Sequence, residues 1–252
     1  MDRAQRVDRP TVCILGAVER ELTPIREPLA SSEGLAALPQ FIATGAGKAS
    51  AAIAATRAIL ELRPSLIVQA GCAGAFRAPG TPEIGLGDVV VASSDVFADE
   101  GCATTERCLD LADLGLAVDE DDRGVLHNEV PTWQPPTDSV EAVRSALPGA
   151  LHSGRLITVS TCSGTDELAA AHHARWQPLA ESMEGAAVAL ACHKFGCRFL
   201  EIRGISNYVG ARDPSSWNID LACERAARAV ELFLHHPRLV ESLPSQDIPI
   251  DE

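Results

Sequence analysis

The sequence predicts a three-layer α/β/α fold, in which a largely parallel sheet lies between two layers of helices. Short apolar runs alternate with longer helical segments, the order that is typical of such sheets. The runs are continuously apolar, as in strands that are buried on both faces. The 252 residues, 46% of them hydrophobic, suffice for one large core, and no repeat or interdomain linker interrupts them. We therefore expect one domain over residues 11–241.

Five apolar runs are predicted as buried strands: Thr11–Leu15, Leu66–Ala70, Asp88–Ala92, Leu156–Val159 and Phe199–Ile202. Four helices are predicted between and after them: from Glu19, after Gly45–Lys48 as far as Arg63, over Met183–Phe195 and over Ile219–His235. Acidic side chains open the first helix, where the helix dipole favours them. Glycine precedes the second helix and follows the third, and the fourth is amphipathic.

The pattern breaks down between Asp99 and about Ala150, where acidic residues, glycine and proline replace the apolar runs. An insertion of this length in a compact domain is usually functional or disordered. The polar residues 1–10 are expected to form an N-terminal tail, and the acidic residues 242–252 a flexible C-terminal tail.

The composition excludes several classes of partner. Lys and Arg number 21 against 35 Asp and Glu, which gives a net charge of −14. Such a surface repels phosphate backbones and anionic lipids, so neither nucleic acid nor a membrane is an expected partner. No run reaches the roughly 20 apolar residues of a membrane span, and residues 1–10 lack a signal-peptide core, so we expect a cytoplasmic protein.

The eight cysteines lack the two-residue spacing of zinc knuckles and redox dithiols. We expect reduced thiols that serve as small buried hydrophobic residues. His127, His172 and His173 have no metal-like spacing with carboxylates or cysteines and are interpreted as surface residues. No metal and no cofactor is predicted.

Several segments place small or polar residues beside predicted strands, and each has an ordinary structural explanation. Gly45-Ala46-Gly47 lacks the third glycine of the dinucleotide-binding fingerprint and Gly71-Cys72-Ala73-Gly74 is not a Walker loop, so tight turns explain both. Glu184 stands at a predicted helix start, where a carboxylate commonly caps the helix. Arg203–Asn207 follows a strand, where α/β enzymes place site residues but turns also favour Ser and Asn.

Together and in this order, these segments resemble the successive motifs of the nucleoside phosphorylase superfamily, in particular its methylthioadenosine/S-adenosylhomocysteine nucleosidases. The resemblance covers roughly residues 11–235, implies a mixed, largely parallel sheet, and rests on Gly16–Leu22, Gly45–Lys48, Gly71–Gly74, Met183–Ala186 and Ile205–Asn207. A finer match in Asp99–Gly101 and in Glu201 through Trp217 resembles the futalosine hydrolase family, whose members remove hypoxanthine from futalosine in menaquinone biosynthesis.

The resemblance implies a site that breaks an N-ribosidic bond through a transition state similar to a ribosyl cation. By the match, Met183 and Glu184 hold the ribose, while Cys72, Ala73 and Gly74 line the ribose and base. Ser206, in the Ile205–Asn207 motif, is assigned to substrate binding. Hydrogen bonds from the sugar to a carboxylate strengthen as positive charge grows on the ring, so Glu184 would favour the transition state.

The match also assigns Glu21 as the general base that activates a water molecule, whereas Glu19 is an ordinary acid of a first helical turn. Arg203 matches an arginine near that water. It either orients the water and Glu21 or forms a buried structural ion pair.

Two departures from relatives indicate the reaction. Phosphorylases of the superfamily carry an arginine for phosphate where this chain has Gln69, and Cys72 replaces a hydroxyl residue. A neutral amide cannot clamp phosphate, so the predicted nucleophile is water. Adenine-specific nucleosidases have Asp where this chain has Asn207. Its amide donates and accepts, which suits hypoxanthine and predicts a 6-oxopurine nucleoside.

Futalosine also carries a benzoate on its 5′ side, and a cation should meet it. Arg107, Arg123 and Arg212 are the candidates, each with a solvated surface role as the alternative. Phe97 either stacks on the purine or lies in the core. The alternative functions are a methylthioadenosine/S-adenosylhomocysteine nucleosidase, a purine nucleoside phosphorylase and, least favoured, a non-enzymatic nucleoside-binding module. The superfamily commonly forms homo-oligomers, so at least a homodimer is expected.

Overall fold

The structure, a computed structural model, describes residues 11–30, 38–121 and 124–243. Twelve strands occur in these ranges: β1 Thr11–Gly16, β2 Leu38–Ala43, β3 Leu66–Ala75, β4 Val89–Phe97, β5 Cys102–Ala103, β6 Cys108–Leu109, β7 Asp119–Asp121, β8 Gly124–Leu126, β9 Glu129–Pro131, β10 Leu151–Thr158, β11 Ala180–Ser182 and β12 Phe199–Tyr208. The α-helices are α1 Glu19–Ala30, α2 Lys48–Leu62, α3 Thr137–Ala146, α4 Asp166–Trp176, α5 Gly185–Lys194, α6 Ile219–His235 and α7 Pro237–Glu241.

The main sheet is mixed, as predicted, and has the strand order β11-β10-β4-β12-β3-β1-β2, with β9 paired to β4. Strands β2, β1, β3 and β12 are parallel to one another, and β4, β10 and β11 form a second parallel group. The two groups meet in antiparallel pairs, β12 with β4 and β11 with β3. Because β11 pairs with β3, the sheet curls and brings the ends of these strands together.

Helices cover both faces of the sheet and bury two large apolar clusters. On one face, α1 and α6 pack against β1, β3 and β12, with Leu22, Ile25 and Phe233 among the buried side chains. On the other face, α2 and α5 contribute mainly alanines, such as Ala55 and Ala187. Small side chains let these two helices lie close to the sheet and to each other, so a core poor in aromatic residues is still filled.

All five predicted strands and all four predicted helices are present, and α6 has the predicted bounds. The main difference concerns Gly71–Gly74 and Arg203–Asn207, which were predicted to lie beyond the ends of strands. They are instead the second halves of β3 and β12, and they pair with each other in parallel register. Backbone hydrogen bonds between neighbouring strands do not depend on apolar side chains, so the strands continue past their apolar runs.

Residues 99–150 have more structure than the sequence indicated. They form the hairpins β5–β6 and β7–β8, add β9 to the main sheet and supply α3, which packs on α6. Towards the other end of the chain, Leu243, the second residue of the predicted tail, is buried in the core. The predicted tails at 1–10 and 244–252 lie outside the described residues.

Two further predictions can be compared with the structure. No helix in the described ranges is long and apolar enough to cross a membrane. All eight cysteines are free, but burial is correctly predicted for only some of them: Cys13, Cys192, Cys197 and Cys223 are buried, Cys72 is half-buried, and Cys102, Cys108 and Cys162 are exposed.

Gly204 in β12 provides a test of how closely α6 packs on the sheet. A Cβ atom at this position would lie 1.9 Å from the backbone oxygen of Ala222. Because backbone cannot swing aside as a flexible side chain does, Gly204→Ala should lower the free energy of unfolding by about 1–3 kcal/mol or more. Urea unfolding measures this, with Gly164→Ala as the control, since an added Cβ there meets no atom within 4 Å. Equal losses in the two variants would contradict the packing argument.

Candidate active site

A cavity of about 310 Å³ opens where β1, β3, β11 and β12 end. This edge, outside the carboxyl ends of parallel strands, is where α/β folds usually bind ligands. Eight of the ten predicted site residues line the cavity: Glu21, Cys72, Ala73, Gly74, Met183, Glu184, Ser206 and Asn207. Arg203 lies behind its wall, and Phe97 lies elsewhere.

The Glu21 carboxylate is held by backbone N–H groups from two directions. Its Oε2 accepts a hydrogen bond from the Ala17 N–H at 2.7 Å, and its Oε1 accepts one from the Cys72 N–H at 3.0 Å. The residue is 6% exposed and borders the cavity. Glu19, by contrast, is exposed and pairs with Arg26 at 3.0 Å. The structure therefore separates the two acids as expected, with Glu21 facing the site.

Arg203 lies directly behind Glu21 and Glu184. Its Nε donates to Oε1 of Glu201 at 2.8 Å, and its Nη2 lies 3.6 Å from Oε2 of Glu184. Glu21 is the third carboxylate of the group, because a Cβ atom added to Gly71 would lie 2.3 Å from Glu21 Oε1 and 3.0 Å from Arg203 Nη1. Glycine at position 71 therefore leaves the space in which these two side chains meet.

The Arg203 guanidinium is 1% exposed, and its charge is maintained by its neighbours. Burial alone would lower its pKa, but the negative charges of Glu201, Glu184 and Glu21 outweigh burial and raise the pKa above its usual range. A buried cation thus links two carboxylates that line the cavity. Arg203 forms the buried ion pair that was one of its two predicted roles.

Glu184 occupies the N-cap position of α5, but its side chain makes no capping hydrogen bond. Its Oε1 instead accepts a hydrogen bond from the Gly47 N–H at 2.9 Å. Gly47 has a φ of +89°, a conformation that favours glycine, and this turn brings the N–H to the carboxylate. Capping therefore does not explain Glu184, whose carboxylate is held between a backbone N–H and Arg203 beside the cavity.

The amide of Asn207 has a defined orientation. Its Nδ2 donates to the Tyr208 carbonyl oxygen at 3.1 Å, and its Oδ1 accepts from the Ser206 hydroxyl at 2.7 Å. A carbonyl can only accept, so the first bond identifies the nitrogen. One donor and one acceptor position of the amide remain for a ligand. Gly74 makes room for it, because a Cβ atom there would lie 3.0 Å from Nδ2.

Cys72 lines the cavity as a neutral thiol. Burial, followed by the negative charge of Glu21, raises its pKa to about 11. A thiol with this pKa is almost entirely protonated at neutral pH and is a poor nucleophile. Cys72 is therefore suited to forming part of the wall and not to attacking a substrate.

Sequence reasoning gave no role to a third carboxylate of the cavity, Glu181. Its two oxygens accept hydrogen bonds from the Ser163 backbone N–H at 2.8 Å and from the Ser163 hydroxyl at 2.5 Å. The same hydroxyl lies 3.1 Å from Nδ1 of His172, which is half-buried and so is not the surface residue that was predicted. The feature of the sequence that could have identified Glu181 was its place three residues before Glu184, in the same segment.

The three candidate arginines for an anionic substituent have different surroundings. Arg212 lines the cavity, and its guanidinium lies 4.8 Å from the centre of the Trp217 ring. Among the described residues no carboxylate pairs with it. Arg107 lies in a separate cavity beside α4 and is paired with Asp113 at 3.1 Å. Arg123 lies outside the described residues. Of the two candidates that the structure describes, Arg212 is therefore the one that borders the cavity without a carboxylate partner.

Phe97 does not line the cavity. It is 6% exposed and packs in the apolar cluster beneath α2 and α5, with Nζ of Lys48 5.7 Å from its ring centre. Phe97 is therefore a core aromatic residue, the second of its two predicted roles, and not a stacking partner for a purine. Its position in β4 directs the ring into the helix layer. Within the described ranges, no three His, Cys, Asp or Glu side chains are grouped as metal ligands.

Comparison with known proteins identifies the family of this chain. The family model described as "Phosphorylase superfamily" matches residues 36–235. The futalosine hydrolase of Streptomyces coelicolor is 37% identical over 196 residues, which are 75% of this chain and 76% of that protein. The futalosine hydrolase of Thermus thermophilus is 33% identical over 200 residues, 77% of this chain and 80% of that protein.

Solved structures share the fold at lower identity. The 5′-methylthioadenosine/S-adenosylhomocysteine nucleosidase of Neisseria meningitidis superposes with a TM-score of 0.72 at 22% identity, over 90% of this chain and 99% of that one. A futalosine hydrolase mutant of Helicobacter pylori gives a TM-score of 0.72 at 20% identity, over 88% and 97%. The chain belongs to the phosphorylase superfamily, and its fold is the one found in these structures. Within that superfamily, the chain belongs to the futalosine hydrolase family.

Proposed function

We propose that this protein hydrolyses the N-ribosidic bond of futalosine, releasing hypoxanthine and dehypoxanthine futalosine. The observation that carries the proposal is that Glu21, Glu184 and Asn207 line one cavity. They are the candidates for the base, the sugar ligand and the purine ligand. The relatives from Streptomyces coelicolor and Thermus thermophilus, which bear the name futalosine hydrolase, support the same substrate.

Glu21 acts as the general base in this proposal. Three backbone N–H groups, from Ala17, Val18 and Cys72, hold its carboxylate at the cavity edge. A fixed carboxylate can take a proton from a water molecule as the water oxygen bonds to C1′ of the ribose. The bond from C1′ to the purine breaks, and its electron pair leaves with the base. Arg203, behind Glu21, keeps the carboxylate in place.

Met183 and Glu184 hold the ribose in the same proposal. Met183 offers a flexible apolar wall, while Glu184 accepts hydrogen bonds from sugar hydroxyls. The positive charge that grows on the ring during bond breaking is attracted to the Glu184 carboxylate. This attraction is greatest in the transition state, so Glu184 lowers the barrier in addition to binding the substrate.

The charge of the cavity favours water over phosphate as the nucleophile. Its lining includes three carboxylates, Glu21, Glu181 and Glu184, against one cation, Arg212. Three negative groups repel a phosphate dianion. Gln69, at the position of the phosphorylase arginine, is fully buried in β3 and does not line the cavity. These observations support hydrolysis over phosphorolysis.

In this proposal, Asn207 recognises the purine through hydrogen bonds from its side-chain amide. One amide hydrogen of Asn207 is donated to the Tyr208 carbonyl, and one lone pair of its oxygen accepts from the Ser206 hydroxyl. The amide still offers one donor and one acceptor to a ligand. The donor suits the 6-oxo group of hypoxanthine, and the acceptor suits a ring N–H. A carboxylate at this position would repel the oxo group.

We also propose a homodimer or larger homo-oligomer in the cytoplasm, acting in menaquinone biosynthesis without metal, cofactor, nucleic acid or membrane. Exposed apolar side chains on α2, namely Ile53 at 64% and Leu60 at 46% exposure, support an oligomeric interface, because a monomer gains nothing by exposing them together. Sedimentation analysis measures the oligomeric state.

The proposed reaction is tested by incubating the protein with futalosine, inosine or methylthioadenosine, each with and without phosphate, and measuring free base and sugar products. We expect hypoxanthine from futalosine and a hydrolysed sugar under both conditions. Glu21→Gln is nearly isosteric but cannot take a proton, so it should lower kcat by about 10² to 10⁴ while ligand binding persists.

Glu19→Gln is the matched control, because Glu19 is exposed and pairs with Arg26 on the outer side of α1. It should retain wild-type turnover. A ribosyl 1-phosphate product would disprove hydrolysis, and preferential cleavage of methylthioadenosine would assign the protein to the adenine nucleosidases. Turnover above half of the wild-type value in Glu21→Gln would exclude Glu21 as the base.

Asn207→Asp should change the preference for the leaving base. The substitution removes the amide donor, places negative charge against the 6-oxo group and adds an acceptor for an exocyclic amine. A mismatched buried polar pair costs ~1 to 3 kcal/mol, which is about ten- to a hundredfold in relative kcat/KM. Rates of base release from futalosine and from its 6-amino analogue measure this ratio. A ratio identical to that of the wild type would mean that Asn207 does not select the base.

Arg212→Ala should weaken the use of substrates that carry an anionic group on the 5′ side. Arg212 is the cation of the cavity lining and has no carboxylate partner among the described residues. We expect kcat/KM for futalosine to fall about tenfold or more, since a charge-assisted hydrogen bond contributes roughly 1.5–3 kcal/mol, and that for inosine to change little. Arg107→Ala is the control, because Arg107 already pairs with Asp113. Equal losses for futalosine and inosine would contradict a role in reading the carboxylate.

A further inference from the structure

Two buried carboxyl groups meet behind the active site, outside the cavity lining. Asp95 in β4 and Glu201 in β12 are both 0% exposed. A Cβ atom added to Gly185, the first residue of α5, would lie 2.1 Å from Asp95 Oδ2 and 2.2 Å from Glu201 Oε1. Both side chains therefore reach the same point beneath the start of α5, and only glycine leaves room for them there.

The hydrogen bonds around this pair leave one position on each carboxyl group without a donor. Asp95 Oδ2 accepts from the Thr158 hydroxyl at 3.0 Å, and that hydroxyl accepts from the Ala186 N–H at 2.9 Å. Glu201 Oε1 accepts from Arg203 Nε at 2.8 Å. Asp95 Oδ1 and Glu201 Oε2 have no donor among the described residues. The contact at Gly185 brings together Asp95 Oδ2 and the two oxygens of Glu201. Two ionised carboxylates cannot hydrogen-bond to each other there, whereas a proton on one of them gives the other a donor.

The surrounding charges indicate which group holds that proton. The charged groups that face Asp95 are Glu201 and Arg203 from β12, with Glu184 beyond them at the start of α5. On the neighbouring strands the residues that pair with Asp95 are apolar, Leu156 in β10 and Val130 in β9. Burial and then the negative charge of Glu201 raise the pKa of Asp95 well above its usual range, although Arg203 opposes this in part. Glu201 is bound to a cation, so Asp95 is the protonated partner.

This assignment determines the charge balance around Arg203. With Asp95 neutral, Arg203 serves three carboxylates, those of Glu21, Glu184 and Glu201. A fourth buried negative charge would join three carboxylates that already share one cation, and a buried charge without a partner of its own is very costly. A neutral Asp95 also acts as a donor that holds the Glu201 carboxylate in one orientation.

We propose that Asp95 carries a proton at neutral pH and donates it to Glu201, and that this pair positions Arg203 between Glu21 and Glu184. Asp95 and Glu201 are positioning residues, because neither lines the cavity and both act through Arg203. The effect on turnover rests on the proposed function, whereas the protonation of Asp95 is a property of the folded chain alone.

Two variants of Asp95 separate the hydrogen bond from the carboxyl group itself. Asp95→Asn keeps a donor toward Glu201 and an acceptor toward Thr158, and Asp95→Ala removes both. We expect Asp95→Ala to lower kcat about tenfold or more with a smaller change in KM, because a misplaced base and sugar ligand act mainly on the transition state. Asp95→Asn should restore kcat to within about threefold of the wild type. Equal kcat values in the two variants would overturn the positioning role.

The proton is tested without any substrate, by urea unfolding between pH 5 and pH 8. The unfolded chain loses the Asp95 proton near the ordinary pKa of aspartate, while the folded chain retains it. Rising pH therefore favours unfolding of the wild type until the raised pKa is reached, and Asp95→Asn lacks this effect. The unfolding constant of the wild type relative to Asp95→Asn should rise by up to about tenfold per pH unit.

Asp138→Asn is the control for this measurement, because Asp138 is exposed on α3, where it pairs with Arg238, and its variant should show no such slope. A ratio for Asp95→Asn that stays constant with pH would overturn the shared proton. The ratio remains informative if the wild type proves inactive on futalosine, so failure of the proposed function and failure of this inference are distinguishable. If Asp95→Ala does not fold, the pH dependence of the isosteric variant decides the question.

Discussion

A buried positive charge in the middle of β12 is the constraint on which the functional side of this protein depends. Arg203 is removed from solvent, and a guanidinium in that position requires carboxylates around it. Glu201 holds its Nε, while Glu184 and Glu21 lie on its other side. The two acids that face the cavity are therefore placed by the same ion that stabilises them. The same buried cation therefore accounts for the positions of these two acids and for the charge that surrounds them.

Glycines determine how closely these charged groups can approach. Gly71 leaves the space in which Glu21 meets Arg203, Gly74 leaves space for the Asn207 amide, and Gly185 leaves space for Asp95 and Glu201. In each case an added Cβ atom would meet a polar side chain and not a turn of the backbone. These glycines, two within β3 and one at the start of α5, thus serve mainly to admit polar side chains from neighbouring elements.

The cavity combines strong negative charge with a single cation at one side. In the proposed reaction, Glu21, Glu181 and Glu184 would favour a cationic transition state and disfavour phosphate, while Arg212 and Trp217 would offer one place for an anionic or aromatic substituent. In the proposed reaction this distribution would let a chain with a net charge of −14 bind an anionic nucleoside, with the acids beside the sugar and the cation beside the substituent.

Local patterns in the sequence were sufficient for five of the twelve strands and four of the seven α-helices in the described residues and for the bounds of α6, and the motifs that carry the family resemblance supplied eight of the residues that line the cavity. These features depend on periodicity, on glycine and on motif order, all of which are visible within short stretches of chain. The motifs also brought Glu21, Glu184 and Asn207 to attention, although the roles of these residues came from resemblance and remain proposals.

Only the tertiary structure decided the rest, because the deciding contacts join residues that are distant in the chain. The lengths of β3 and β12 follow from their pairing, and the packing beneath α2 and α5 places Phe97 in the core. The sequence alone suggested capping for Glu184, but its partners are Gly47 and Arg203. Nothing local predicts that Asp95 meets Glu201. A buried charge is determined by what surrounds it in space, and that requires the folded chain.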